Sequence, residues 1–185
     1  LSGTPTNADV GDHDVTIRVF DGTVSADQSF VISVADVNDV PTFISIPLTS
    51  ALQDAVYTYN LVAEDIDGDT LEYSAPVLPA WLTFTAETQI LTGTPANDDV
   101  GDHDVTLRIF DETVFVDQDF VITVANENDG PVFTSTPDTT AAEETAYAYT
   151  PTVEDIDGDI LTFTAPVIPG WLSFNEASHL LSGTP

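Results

Sequence analysis

A single period governs this chain. The pentapeptide LSGTP at Leu1 to Pro5 returns as LTGTP at Leu91 to Pro95 and as LSGTP at Leu181 to Pro185, a step of 90 residues each time. The same offset carries Asn38-Asp39 onto Asn128-Asp129, Trp81-Leu82 onto Trp171-Leu172, and Asp65 to Asp69 onto Asp155 to Asp159. No gap is needed, and 27 of the first 39 residues are identical to their counterparts in 91–129. A fixed period of this length marks an array of similar structural units, and 90 residues suffice for a domain with its own core.

Unit boundaries fall most naturally after the Asn-Asp pairs, each followed closely by a proline, Pro41 or Pro131. On that phase residues 1–39 are the back of one repeat, 40–129 a complete repeat, and 130–185 the front of a third. These residues contain no initiator Met, signal peptide or membrane span. The expectation is a window of a longer protein.

Charge narrows the partners. Asp and Glu number 32 against two basic residues, Arg18 and Arg108, for a formal net charge of −30. Nucleic acid and anionic membrane surfaces are excluded as partners, because both are bound through basic patches. Two readings of the charge stand side by side: a solubility device for a salty medium, or carboxylates gathered for divalent cations. A hydrophobic fraction of 42% argues against disorder. With no Cys, such units are held by packing or by metal.

Hydrophobic alternation predicts an all-β chain. In His103 to Phe110, Val105, Leu107 and Ile109 share one face while Thr106 and Arg108 share the other, the pattern of a half-buried strand. Val114 to Val124 continues as a second long strand with Phe120, Ile122 and Val124 inward and a bend expected at Asp117-Gln118-Asp119. Asp21-Gly22 at the equivalent turn of the first repeat is a hairpin signal. Thr42 to Ile46, Val56 to Val62, Leu71 to Ser74, Trp81 to Phe84 and Gln89 to Thr92 read as short strands punctuated by Pro, Gly and Asp. Seven short strands in a 90-residue unit indicate tandem antiparallel Greek-key β-sandwiches.

Three segments carry a family resemblance. Ala63 to Ala75 (AEDIDGDTLEYSA) resembles the cadherin pattern Ala-x-Asp-x-Asp-x-Gly with a following Tyr-Ser, and Ala35 to Phe43 (ADVNDVPTF) resembles the cadherin linker. Pro79 to Asp111 is similar to the dystroglycan-type cadherin-like repeats of large microbial surface proteins. The resemblance implies an extracellular, cell-surface or secreted location, a structural or adhesive role, and Ca2+ bound between repeats. Calcium takes six to eight oxygens, so carboxylates and carbonyls must converge on it from separate segments. Matched position by position, the implied ligands at the first joint are Asp36, Asn38 and Asp39 from the linker with Asp65, Asp67 and Asp111 from the complete repeat. At the second joint they are Asn126, Asn128, Asp129, Asp155 and Asp157. The pattern's acidic residues from the preceding repeat are not matched: Gln53-Asp54 and Glu143-Glu144 fill one slot, and Asp98 and Asp99 are loose candidates for the other. With Asn126 replacing Asp36 as well, one or two ions per joint are implied. The spacing argues against an EF-hand, since glycine falls fourth in the loop and Pro76 twelfth. The competing reading is that these Asp residues form turns and exposed loop charges, favoured for isolated ones such as Asp9 and Asp27.

No catalytic constellation is legible. His13 and His103 stand at equivalent strand starts and read as solvated; His179 has no sequence neighbour to work with; no Ser or Cys has a positioned base. The alternative function is carbohydrate binding through Trp81 and Trp171, set against the reading that both rings plug the sandwich. Partners are expected among neighbouring repeats or copies of the chain itself, with surface glycans or proteins beyond. Residues 1–39 place Val15, Ile17, Val19, Phe30, Ile32 and Val34 where a core should be. Residues 130–185 place Tyr147, Tyr149, Leu161, Phe163 and Trp171 there, so head-to-tail pairing of 130–185 with 1–39 would complete a sandwich and generate an open filament.

Overall fold

Alternation along the chain is converted into strands wherever a partner is available. The computed structural model describes residues 2–185; Leu1, which opens the first Gly-Thr-Pro motif, lies outside them. The strands are β1 Gly11–Phe20, β2 Ser25–Val34, β3 Thr42–Phe43, β4 Ser50–Leu52, β5 Tyr57–Asn60, β6 Ala63–Glu64, β7 Glu72–Val77, β8 Leu82–Thr85, β9 Ile90–Gly93, β10 Gly101–Phe110 and β11 Phe115–Ala125. They continue as β12 Val132–Phe133, β13 Tyr147–Tyr149, β14 Val153–Glu154, β15 Leu172–Asn175 and β16 Leu180–Gly183. The described residues form two compact units, one running to Ala125 and the other from Asn126 to Pro185.

In the first unit the complete repeat is a two-layer sandwich. One layer is β4-β11-β10-β7 and the other β5-β9-β8, with β3 and β6 paired beside it. The N-terminal strand is shared between layers: β3 pairs with β6, then β4 runs parallel to β11. Counting β3 with β4 and β5 with β6 as interrupted single strands, the repeat has the seven expected strands of an all-β Greek-key sandwich. The alternation in β10 is realised directly, with Val105, Leu107 and Ile109 at 1% exposure or less. They pack with Ile122, Leu91, Leu82, Leu61, Tyr57 and Tyr59 in one cluster. Each such aliphatic side chain contributes about 1.5–3 kcal/mol when fully buried.

Two local expectations need correction. Ser50–Leu52 is a strand that the sequence reading did not include; its pairing depends on β11, which lies far along the chain. The expected bend at Asp117-Gln118-Asp119 is absent, and β10 and β11 stay in register from Gly101↔Val124 to Phe110↔Phe115. Each polar residue there has a partner that keeps the ladder straight. Arg108 donates to both carboxylate oxygens of Asp117 at 2.6 and 2.7 Å, and Thr106 Oγ1 donates to Asp119 at 2.6 Å. Gln118 turns inward, donating Nε2 to the Ser45 carbonyl while its Oε1 accepts from Tyr59 OH, both at 3.0 Å. The irregularity lies instead between β7 and β10, at Thr106/Arg108.

The hairpin β1-β2 repeats the register of β10-β11, Gly11↔Val34 through Phe20↔Ser25, but its inner face is uncovered: Ile17 is 44%, Phe30 39% and Ile32 49% exposed. The second unit holds the complementary front, β13-β16-β15 and β12-β14. Residues 140–142 and 162–165, the counterparts of β4 and of most of β7, are not strands there.

The Gly-Thr-Pro motif has a packing cause. A Cβ on Gly93 would lie 2.0 Å from the Trp81 carbonyl oxygen, and one on Gly183 2.0 Å from that of Trp171. Backbone approaches backbone here, and only glycine fits. Gly93→Ala is expected to cost about 3 kcal/mol, as overpacking against rigid backbone does. Gly130→Ala, with nothing within 4 Å of the added carbon, is expected to be near neutral. Urea denaturation of both variants checks the contrast.

Candidate metal centre

The loop after β6 is shaped by its first carboxylate. Asp65 Oδ1 accepts the backbone N–H of Asp67 at 2.9 Å and of Asp69 at 3.3 Å, and Gly68 takes φ +80°, a turn conformation that suits glycine. The result is convergence: Asp65, Asp67 and Asp69 each offer an oxygen within 4.8 Å of the others. Oxygens sharing one calcium ion at about 2.3–2.6 Å must lie within roughly 5 Å of each other, so the spacing fits a hard cation. Two oxygens in this group, Asp65 Oδ2 and Asp67 Oδ1, are buried without a hydrogen-bond donor.

The linker closes over this loop. Asp39 N–H donates to Asp67 Oδ2 at 2.5 Å, and Asn38 Nδ2 donates to the Asp39 carbonyl and to Asp111 Oδ2, each at 3.0 Å. Asp111, at the end of β10, is 1% exposed, and its Oδ1 accepts from Thr113 and Val114 N–H at 2.8 and 2.6 Å. The Asn38 amide, followed by the Val114 N–H, holds the Asp111 carboxyl below the usual carboxylate range. Asp69 behaves oppositely. Partial desolvation, then the negative charges of Asp65, Asp67, Asp111 and Asp36, push its carboxyl above 3.8. All six residues implied at the first joint therefore gather in one region. Asp69 joins them although the resemblance did not name it; its signal was the third acid of Asp65-x-Asp67-x-Asp69.

The second unit repeats the local pattern. Asp155, Asp157 and Asp159 converge in the same way, Asp157 Oδ1 is buried without a donor, and Asp129 N–H donates to Asp157 Oδ2 at 2.5 Å. Asn128 Nδ2 donates to the Asp129 carbonyl at 3.0 Å. Asn126 makes no hydrogen bond to a described carboxylate. Asp159 is the residue missed here.

Asp9 and Asp99 are turn formers, each accepting from the backbone N–H three residues earlier, at 2.8 and 2.9 Å. His13 and His103 are not simply solvated: Nε2 lies 2.6 Å from the Asp9 and Asp99 carbonyls respectively. Trp81 packs edge-on to Tyr57 and His103, both at 5.9 Å between ring centroids. Trp171 meets Tyr147 at 6.1 Å and remains 36% exposed.

The two shifted acids give opposite pH signatures. Asp111, with its lowered value, supports the fold above its ordinary range, and that support is lost as pH falls through the folded-state value. Asp69, with its raised value, works against the fold when ionised, and that penalty is relieved as pH falls through the raised value. In chelator at neutral pH, Asp69→Asn is therefore expected to melt higher than the parent, the gain vanishing on acidification. Thermal melts across the acid range check this.

Comparison with known proteins finds neighbours for the fold. No curated protein matches. Among solved structures, the human protocadherin-24 EC1-2 fragment is 21% identical over 80% of both chains, with a TM-score of 0.50. The protocadherin GammaB4 extracellular domain is 16% identical over 98% of this chain and 36% of that one, at 0.48. The endo-fucoidan hydrolase MfFcnA4 of glycoside hydrolase family 107 is 23% identical over 99% of this chain, at 0.45. The chain spans 31% of that hydrolase's length. The fold is thus cadherin/Ig-like, and residues 40–125 and 130–185 both match one family. This chain belongs to the Ig-like family described as "Putative Ig domain" (He_PIG).

Proposed function

We propose that the chain is a calcium-stiffened segment of tandem extracellular repeats, a spacer or adhesive part of a surface or secreted protein, with a structural and not a catalytic role. The observation that carries the reading is the set of buried carboxylate oxygens without donors, Asp65 Oδ2, Asp67 Oδ1 and Asp157 Oδ1. A buried anionic oxygen is costly unless something positive faces it. The chain's only two basic side chains beyond histidine are committed elsewhere, Arg18 to Asp27 and Arg108 to Asp117. A divalent cation is the group whose chemistry answers these oxygens. Asp65, Asp67 and Asp69 would hold it at the first joint with Asp36, Asn38, Asp39 and Asp111, and Asp155, Asp157 and Asp159 with Asn128 and Asp129 at the second. Bound there, calcium would neutralise the mutual repulsion of the loop acids and tie linker to domain. The dystroglycan-type cadherin-like subfamily is the finer assignment, carried by Pro79 to Asp111.

Partners on this reading are neighbouring repeats or copies of the chain. Among the described residues, 130–185 form the front layer of a repeat and β1-β2 the back hairpin of one. Polar detail supports the match. In the complete repeat Ser45 Oγ, Tyr59 OH and Gln118 form one network. The second unit has Ser135 Oγ and Tyr149 OH at 2.7 Å, and Gln28 occupies the Gln118 position on β2. Carbohydrate binding finds less support, because Trp81 is half-buried against Tyr57 and His103.

Calcium binding only to the folded joint stabilises by mass action, by about 2.7 kcal/mol when free ion exceeds the dissociation constant about a hundredfold. Millimolar calcium is therefore expected to raise the melting temperature well beyond sodium chloride of equal ionic strength; equal effects would leave only a halotolerant surface. Replacing Asp65 and Asp67 together by Asn is expected to remove much of that rise while circular dichroism shows an intact sandwich. Sedimentation of the 185-residue chain tests the pairing of halves. Concentration-dependent association is expected, and a fully folded monomer at micromolar concentration would count against it.

A further inference from the structure

Asn7 belongs to the incomplete first repeat, yet its Nδ2 donates to the Ile66 carbonyl at 2.9 Å, 59 residues along the chain. Ile66 lies between Asp65 and Asp67, so this bond grips the backbone of the acidic loop at its centre. The donor is held in place. Asn7 opens a one-turn 3-10 helix, Asn7–Asp9, fixed on one side by Thr6 N–H and Oγ1 donating to Asp9 Oδ2 at 2.8 and 2.9 Å. On the other side it is fixed by His13 Nε2 at 2.6 Å from the Asp9 carbonyl. The same turn faces the linker across a cleft lined by Thr6, Asn7, Asp36 and Asp39.

We propose that Asn7 is a positioning residue, a clasp by which the preceding repeat holds the metal-binding loop of the following one without contributing a ligand. The loop is then restrained from three directions: by Asp65 Oδ1 within it, by the Asp39 N–H of the linker, and by Asn7 from the neighbouring repeat. The clasp orders the loop backbone whether or not an ion is bound; its effect on calcium rests on the metal reading given above. Only a donor of this reach serves. Aspartate is isosteric but presents acceptors to a carbonyl, and alanine presents nothing.

Hydrogen exchange on the intact 185-residue chain tests the clasp without needing metal. The Asp67 and Asp69 amides, both bonded to Asp65 Oδ1, report the first loop, and the Asp159 amide, bonded to Asp155 Oδ1 at 3.1 Å, is the internal reference. Asn7→Ala and Asn7→Asp are both expected to speed exchange at Asp67 and Asp69 roughly two- to tenfold, the worth of one net hydrogen bond, with Asp159 unchanged. Asp65→Ala provides the positive control. Unaltered Asp67 and Asp69 exchange in both Asn7 variants, with acceleration in Asp65→Ala, overturns the proposal. Calorimetric titration with calcium separates the two ideas: an unmodified chain that takes up no calcium ends the metal reading, while exchange still decides the clasp. Where calcium binds, Asn7→Ala is expected to weaken first-joint affinity by a similar factor.

Discussion

A strand pair has two faces, and in water one of them must be covered. That constraint organises this chain. In the complete repeat, the inner face of β10-β11 lies on β5-β9-β8, and Leu107, Ile109 and Ile122 fall to zero exposure. In β1-β2 the same alternation and the same register leave Ile17, Phe30 and Ile32 open to solvent. Nothing in the hairpin itself differs enough to explain the contrast. Cohesion comes from the second layer, because non-directional apolar burial needs area on both sides.

The acidic loops exist on the strength of that packing. Asp111 sits where β10 leaves the core, Asp65 follows β6, and the linker crosses between them, so carboxylates distant in sequence are brought together by strands whose ends are fixed elsewhere. Such a gathering is electrostatically unfavourable in isolation. The carboxyl of Asp69, raised first by partial desolvation and then by Asp65, Asp67, Asp111 and Asp36, carries the local sign of it. Backbone N–H groups and the Asn38 amide satisfy several of the oxygens, and Asp65 Oδ2 and Asp67 Oδ1 remain without donors. A repeat array built this way keeps its joints negatively charged and polar while its domains stay apolar inside.

Much of the site was legible as a pattern and less of it as a geometry. The Asp65 to Asp69 spacing was visible, but the part taken by Asp69 required the turn at Gly68 to fold the third acid back toward the first. Asp98 and Asp99 are candidates by sequence for acids from the preceding repeat, but Asp99 holds its own turn. His13 and His103 read as solvated because their carbonyl partners lie on a turn whose shape sequence spacing does not reveal. Asn7 gave no signal at all, since nothing in its neighbourhood announces a contact with Ile66.

By itself the sequence determined the period, the strand alternation, the hairpin turns and the all-β class, because these follow from side-chain order along one strand or across one short turn. The tertiary structure alone decided which of those strands form. Glu72-Tyr73-Ser74-Ala75 is strand, while the similar Thr162-Phe163-Thr164-Ala165 is not. The difference lies outside both segments. The first has β10 beside it to satisfy its backbone and cover its inner face, while among the described residues no strand pairs with the second. A β-strand is completed by what pairs with it, so similar local sequence forms a strand in one repeat and none in the next.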